Sequence, residues 1–274
     1  MFPNHSFLNW QGRRKPLILA LMPAKKKSSS KAKSSRLITA SKDLVADVAL
    51  ANLILFDHEI VDGFGHVSAR HDKDPERFVM ARYVAPGIVT PDDIREFGLD
   101  SEPVPERGEK HYSERFIHGE IYRARPDVNA VIHSHAPPLI PFGTTGAPLR
   151  PMYHMSAYVG MGVPIFEIRN FQNDGQMLIR SAYLGRSLAS TLSDKPMVLM
   201  RGHGATIVAS SLHLCVYRAI YAALNAKLQM DALRLGGEVN YLNENEVEYC
   251  MEGVESTNER AWALWKKEAS GKKR

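Results

Sequence analysis

Two histidines one residue apart, His133 and His135, end the apolar run Val128-Asn129-Ala130-Val131-Ile132, and a third, His203, sits between glycines in Arg201-Gly202-His203-Gly204. Side chains alternate faces along an extended strand, so His133 and His135 point the same way. A third imidazole brought in by a distant turn completes three sides of a metal site, and three neutral protein ligands leave positions open for water or substrate. A structural zinc site is usually closed by four ligands, often cysteines. Cys215 and Cys250 have no CxxC partner. The pattern therefore predicts an open, catalytic cation site.

A core able to hold such a site is within reach, because the 274 residues are 44% hydrophobic, enough for one large domain or two small ones. The net charge is +5, but nine of the 35 Lys/Arg lie within residues 1–36, which contain no acid, so the rest of the chain carries −4. Positive charge confined to one terminal stretch argues against specific nucleic-acid recognition by a folded face. Residues 1–40 are expected to form a basic, disordered extension, and residues 41–274 the catalytic domain. Arg13-Arg14-Lys15 followed by the apolar run 16–22 has the outline of a short export signal, but that run is at the lower length limit and a Lys/Ser stretch follows it. A cytoplasmic location is the expectation, in keeping with two widely spaced cysteines. No other segment approaches the ~18 apolar residues a membrane span needs, so no membrane partner is expected.

Leu44, Val45, Val48, Ala51, Ile54 and Leu55 recur at helical spacing behind Ser41, which predicts a helix over 41–57. Segments 66–70 and 78–81 and an extended stretch through Ala85-Pro86-Gly87 read as two or three strands. A helix over 111–125 is stopped by Pro126, with strands to follow at 129–134, 162–168, 197–200 and 206–209. Helices are predicted at 181–192 and 211–235, the latter ended by Gly236-Gly237, with two short helices after it. The alternation gives an α/β fold in which helices cover a mostly antiparallel sheet.

The run SERFIHGEIYRARPDVNAVIHSHAPP, followed about seventy residues on by VLMRGHGATIVASSLHLCVYRAIYAALNAKLQ, resembles the class II aldolase/adducin family across roughly residues 41–250. The resemblance implies a three-layer α/β/α sandwich and assembly as a homotetramer, with Tyr241 or another C-terminal residue reaching a neighbour's site. It implies one divalent cation per subunit, Mn2+ or Zn2+, on His133, His135 and His203. It also implies an acid/base carboxylate nineteen positions before the first histidine, which is Glu114. His118, four residues on, would share a helical face with Glu114 and support it or line the pocket, or else be a buried, hydrogen-bonded histidine.

Departures from the family's sugar-phosphate aldolases bear on substrate. The places that hold phosphate in those enzymes fall here at Gly65-His66-Val67-Ser68, near Arg82-Tyr83 and at Tyr112-Ser113, and of the small donors only Ser113 remains. His66, Arg82 and Tyr112 would fill the phosphate cavity, while Arg82 can bind a planar carboxylate with two hydrogen bonds. Phe142, Met152, Tyr153, His154 and Tyr158 suit a flat ring better than a polyol, although core packing explains any one of them equally well. The expected substrate-binding set is Arg82, His66, Tyr112, Ser113, Tyr153 and His154. With MARYVAPGIVTPDDI and RAWALWKKE, these features are similar to the branch that decarboxylates hydroxylated aromatic or hydroxypyridine carboxylates. The expected function is a metal-dependent decarboxylase needing no organic cofactor; the alternative is an aldolase or epimerase of a non-phosphorylated hydroxy-carbonyl compound. A non-enzymatic module like the adducin head would not be expected to keep all three histidines.

Overall fold

The computed structural model describes residues 39–253 and 255–272, so nearly all of the predicted basic extension lies outside the described residues. Helix α1 (Lys42–Asp57) starts where Ser41 Oγ accepts the Leu44 N–H at 3.2 Å, and buries Val48, Ala51, Ile54 and Leu55. Among the described residues seven strands follow: β1 (His66–Arg70), β2 (Arg77–Ala81), β3 (Ile94–Gly98), β4 (Ala130–Ser134), β5 (Ile165–Phe166), β6 (Met197–Met200) and β7 (Gly204–Ala209). The helices among and after them are α2 (Phe116–Ala124), α3 (Ile140–Thr144), α4 (Ala182–Leu192), α5 (Leu212–Leu235), α6 (Glu244–Gly253) and α7 (Asn258–Gly271).

The strands make one sheet in the order β3-β2-β1-β4-β7-β6-β5. Every pairing is antiparallel except that of β5 with β6, so the sheet is mixed at one edge. β4 is central, and all five of its residues are buried. Register aligns His66, His133 and Thr206 on neighbouring strands, which puts their side chains on one face. α2 packs on that face through His118 and Tyr122, which reach Ser68 of β1, and α4 packs on α2. The opposite face meets α1 and α5, with Cys215 Sγ of α5 at 3.4 Å from Ile207 O.

Three local expectations are revised. The third strand is β3, not residues 85–87, where Pro86–Ile88 forms a 3₁₀ turn. Only Ile165 and Phe166 of the 162–168 stretch pair with a neighbour, since Glu167 caps another 3₁₀ turn at once. α2 begins at Phe116 because Arg115 is held from outside, its Nε donating to Ser101 O at 2.6 Å. Glu114 therefore stands in the turn before the helix.

Buried amides on α5 tie down the chain between His135 and His203. Asn225 accepts the Met152 N–H at 2.8 Å and donates to Arg150 O at 2.8 Å, while Gln229 accepts the Arg150 N–H at 2.9 Å. A buried amide so satisfied is stable, and unpaired it would be costly. Among the described residues no helix is long and apolar enough to cross a membrane.

Candidate metal centre

β4 delivers His133 and, one residue past its end, His135; the turn into β7 delivers His203. That turn can approach only because residue 204 is glycine: a Cβ there would lie 2.0 Å from Ser134 O. The three imidazoles converge through Nε2, with 3.1 Å from His133 to His135 and 3.1 Å from His203 to His135. His133 Nδ1 is 3.1 Å from Ala205 O and His203 Nδ1 is 3.0 Å from Met177 O. A carbonyl only accepts, so each Nδ1 carries the hydrogen and each Nε2 turns a lone pair inward.

Glu114 closes the cluster from the turn before α2. Its Oε1 accepts the Ile179 N–H at 2.9 Å, and its Oε2 lies 3.6 Å from His133 Nε2 and 3.5 Å from His203 Nε2. Burial acts to raise its pKa, and only positive charge facing it at the position of His133 and His203 holds the carboxyl below the usual carboxylate range. Burial pushes His133 far down and His135 down as well, so both favour the neutral form. An ionised carboxylate beside neutral imidazoles is an anionic cradle, which suits a divalent cation. The spacing fits too, because two nitrogens each about 2.0–2.1 Å from one ion at right to tetrahedral angles stand about 2.8–3.4 Å apart. All four ligand atoms lie within 4.8 Å of one another.

The cluster opens on a cleft of about 610 Å³ that Glu114 and His135 line. A larger hollow, about 900 Å³, meets it at His135 but contains no other member of the cluster. In the cleft wall stand His66, Tyr112 and Ser113 from the expected substrate set, joined by Tyr83 and Arg180. Gly65 makes the entry to His66 possible: it has φ +88°, and a Cβ would come within 2.7 Å of Val61 Cγ1. Tyr112 donates to Val84 O, and burial raises its pKa to about 12, so it remains a phenol.

Four of the expected site residues stand outside the lining of this cleft. Arg82 does not line the cleft: its Nη2 is 2.7 Å from Asp93 Oδ1, and Asp93 also accepts from the Thr90 N–H and hydroxyl. His118 is fully buried and touches Ser68 and His66 instead of the cleft. Tyr153 and His154 lie with the 148–156 segment that α5 ties down, Tyr153 packing its ring edge on Tyr221. Sequence reasoning missed Arg180, an exposed cation in the cleft for which no ion pair is seen among the described residues. It sits in a loop without periodicity, just before the Ser181 cap of α4, placed by the Ile179 N–H bond to Glu114 and by its own N–H bond to Leu178 O.

Residues 46–230 match the class II aldolase and adducin N-terminal domain. The chain belongs to that family. It is 37% identical over 238 residues to decarboxylase tropJ of Talaromyces stipitatus, covering 78% of this chain and 90% of that protein. It is 29% identical over 215 residues to the 3,4-dihydroxyphthalate decarboxylase of Arthrobacter keyseri, covering 73% and 83%. The fold is similar to that of an L-fuculose 1-phosphate aldolase from Glaciozyma antarctica, with TM-score 0.69 at 17% identity over 86% of this chain and 93% of that one. As a class II aldolase family member with decarboxylase relatives, the chain is an enzyme with lyase activity.

Proposed function

We propose that the protein is a metal-dependent decarboxylase of a hydroxylated aromatic or hydroxypyridine carboxylate. The observation that carries this reading is the similarity, over 78% of this chain and 90% of the relative, to a protein named as a decarboxylase, in a chain whose donor cluster faces a cleft walled by Tyr83 and Tyr112. His133, His135 and His203 would hold the cation, Mn2+ or Zn2+, through Nε2. Bound there, the cation would draw electron density from the ring through chelated ring oxygens, an electron sink in place of an organic cofactor.

The chain's own groups do the rest. Tyr83 and Tyr112, with ring centroids 6.0 Å apart, flank the ring, and the Ser113 hydroxyl offers it a hydrogen bond. Arg180 takes the role expected of Arg82 and orients the departing carboxylate. Glu114 takes the proton of the ring hydroxyl and returns it to the ring carbon as the C–C bond breaks, leaves its electron pair on the ring and releases CO2. Residues 41–274 form this catalytic domain. Assembly as a homotetramer would cover Phe56 and Leu224, exposed beside the larger hollow.

The test is CO2 release by the purified protein, supplied with Mn(II) or Zn(II), from a panel of ortho-hydroxylated aromatic and pyridine carboxylates. Metal-dependent CO2 from one ring class is the expected result. Aldehyde from hydroxy-carbonyl controls without CO2 from any ring would overturn it in favour of an aldolase.

A further inference from the structure

Behind the cleft, four side chains form an unbroken hydrogen-bonded row that the reaction above leaves unused. Tyr122 OH is 2.8 Å from Ser68 Oγ, Ser68 Oγ is 2.6 Å from His118 Nδ1, and His118 Nε2 is 2.6 Å from His66 Nδ1. All four are buried. The His66 ring lies between those of Tyr112 and His133, at 4.8 and 5.1 Å between centroids, in the cleft wall. With Nδ1 engaged, Nε2 is the polar atom His66 has left to offer the cleft.

Hydrogen inventory gives the row a direction. A phenol and a serine hydroxyl each have one hydrogen to donate, and a neutral imidazole has one N–H and one lone pair. Suppose the row runs from His66 toward Tyr122, with His66 Nδ1 donating to His118, His118 Nδ1 to Ser68 and Ser68 to Tyr122. The phenol oxygen then accepts from Ser68 and from the Val131 backbone N–H, and its own hydrogen is buried without an acceptor. A buried unsatisfied donor is the arrangement folded proteins avoid. Run the other way, every donor is satisfied: Tyr122 donates to Ser68, Ser68 to His118 Nδ1, and His118 Nε2–H to His66 Nδ1. The remaining imidazole hydrogen must then stand on His66 Nε2.

We propose that His66 is a donor-locked imidazole that offers the cleft an Nε2–H for an anionic substrate oxygen, carboxylate or phenolate, and that Ser68, His118 and Tyr122 are positioning residues that fix its tautomer. A fixed N–H facing negative charge needs no reorganisation when substrate arrives, and a neutral imidazole serves as such a donor in other enzymes. The identity of the bound oxygen rests on the decarboxylase reading; the tautomer does not.

The experiment is nitrogen NMR of the full-length protein, labelled with 15N-histidine and loaded with diamagnetic Zn(II), with the His66 signals identified by their loss in His66→Asn. Protonated and lone-pair imidazole nitrogens have distinct shifts. The expected result is Nε2 protonated and Nδ1 bare, with the Nε2–H tautomer in excess on the order of tenfold or more. In His118→Leu that excess collapses to the few-fold bias of a free imidazole, and Ser68→Ala weakens it if the first variant fails to fold. Titration with salicylate moves the His66 Nε2–H signal. A hydrogen on Nδ1 in the wild type, a lock unchanged in the variants, or a signal indifferent to salicylate would each overturn the proposal. None of these readouts needs turnover, so their failure is distinct from a failure to release CO2.

Discussion

The two oxygens of Glu114 serve different elements: Oε1 accepts the Ile179 N–H at 2.9 Å, and Oε2 faces His133 and His203 at 3.6 and 3.5 Å. One oxygen anchors the carboxyl to the loop before α4 while the other is aimed at the donor cluster. Glu114→Gln keeps an oxygen for Ile179 and removes the charge. It is expected to fold, retain metal by elemental analysis, and lose about 10²–10⁴ in kcat. Full turnover in this variant would remove Glu114 from the proposed proton transfer.

His203→Ala takes away one of three converging Nε2 atoms. Metal affinity, measured by competition with a chromogenic chelator, should fall by more than the about 10–100-fold that losing an outer-shell partner costs. Activity and metal content should disappear together. Treating the wild type with EDTA should abolish CO2 release, and Mn(II) or Zn(II) should restore it.

The two arginines separate substrate binding from surface pairing. Arg180→Ala is expected to raise KM for a carboxylated ring by about tenfold to a hundredfold, the worth of a charged hydrogen bond, with little change in Tm. Arg82→Ala breaks a pair between a half-exposed guanidinium and the buried Asp93, whose carboxylate keeps its Thr90 bonds, so steady-state kinetics should be unchanged and urea denaturation should show a loss of about 1 kcal/mol.

Burial lowers the pKa of His118 from 6.5 to about 3. As pH falls, the unfolded chain takes up this proton first, so the stabilisation is complete above pH 6.5 and is lost progressively between pH 6.5 and about 3. Its contribution is at most about 1.4 kcal/mol per pH unit. Stability of His118→Gln, measured by denaturant titration across that window, should fall less steeply than that of the wild type. The slope should not vanish, because His66 and His133 are also lowered by burial.

Gly204→Ala sets a methyl group against the Ser134 carbonyl, 2.0 Å away before relaxation. Overpacking of backbone against backbone cannot be relieved by a rotamer change, so a loss of about 2–4 kcal/mol is expected by chemical denaturation. Metal affinity should fall with it, since His203 is the preceding residue.

What could be read from the sequence depended on local rules. The period of two along β4 put His133 and His135 on one side, and Ser41 announced the helix it caps. Pro86-Gly87 misled because a proline can begin a 3₁₀ turn as readily as an extended stretch, and β3 follows it. Arg82 and Arg180 are indistinguishable as letters; which is free depends on Asp93, whose carboxylate the Thr90 turn holds in place. The aromatic stretch holding Tyr153 and His154 reads as a cleft wall, yet Asn225 and Gln229, two amides on the buried side of α5, were the legible sign that something would be tethered there.

His135 and His203 are 68 residues apart in the chain and 3.1 Å apart through their Nε2 atoms. Any ion they share acts as a removable staple across that loop, and a staple's hold on the unfolded chain grows only slowly with loop length. Free metal at 100 times its dissociation constant would add about 2.7 kcal/mol to folding. The thermal melting curve of this protein thus doubles as a gauge of metal supply.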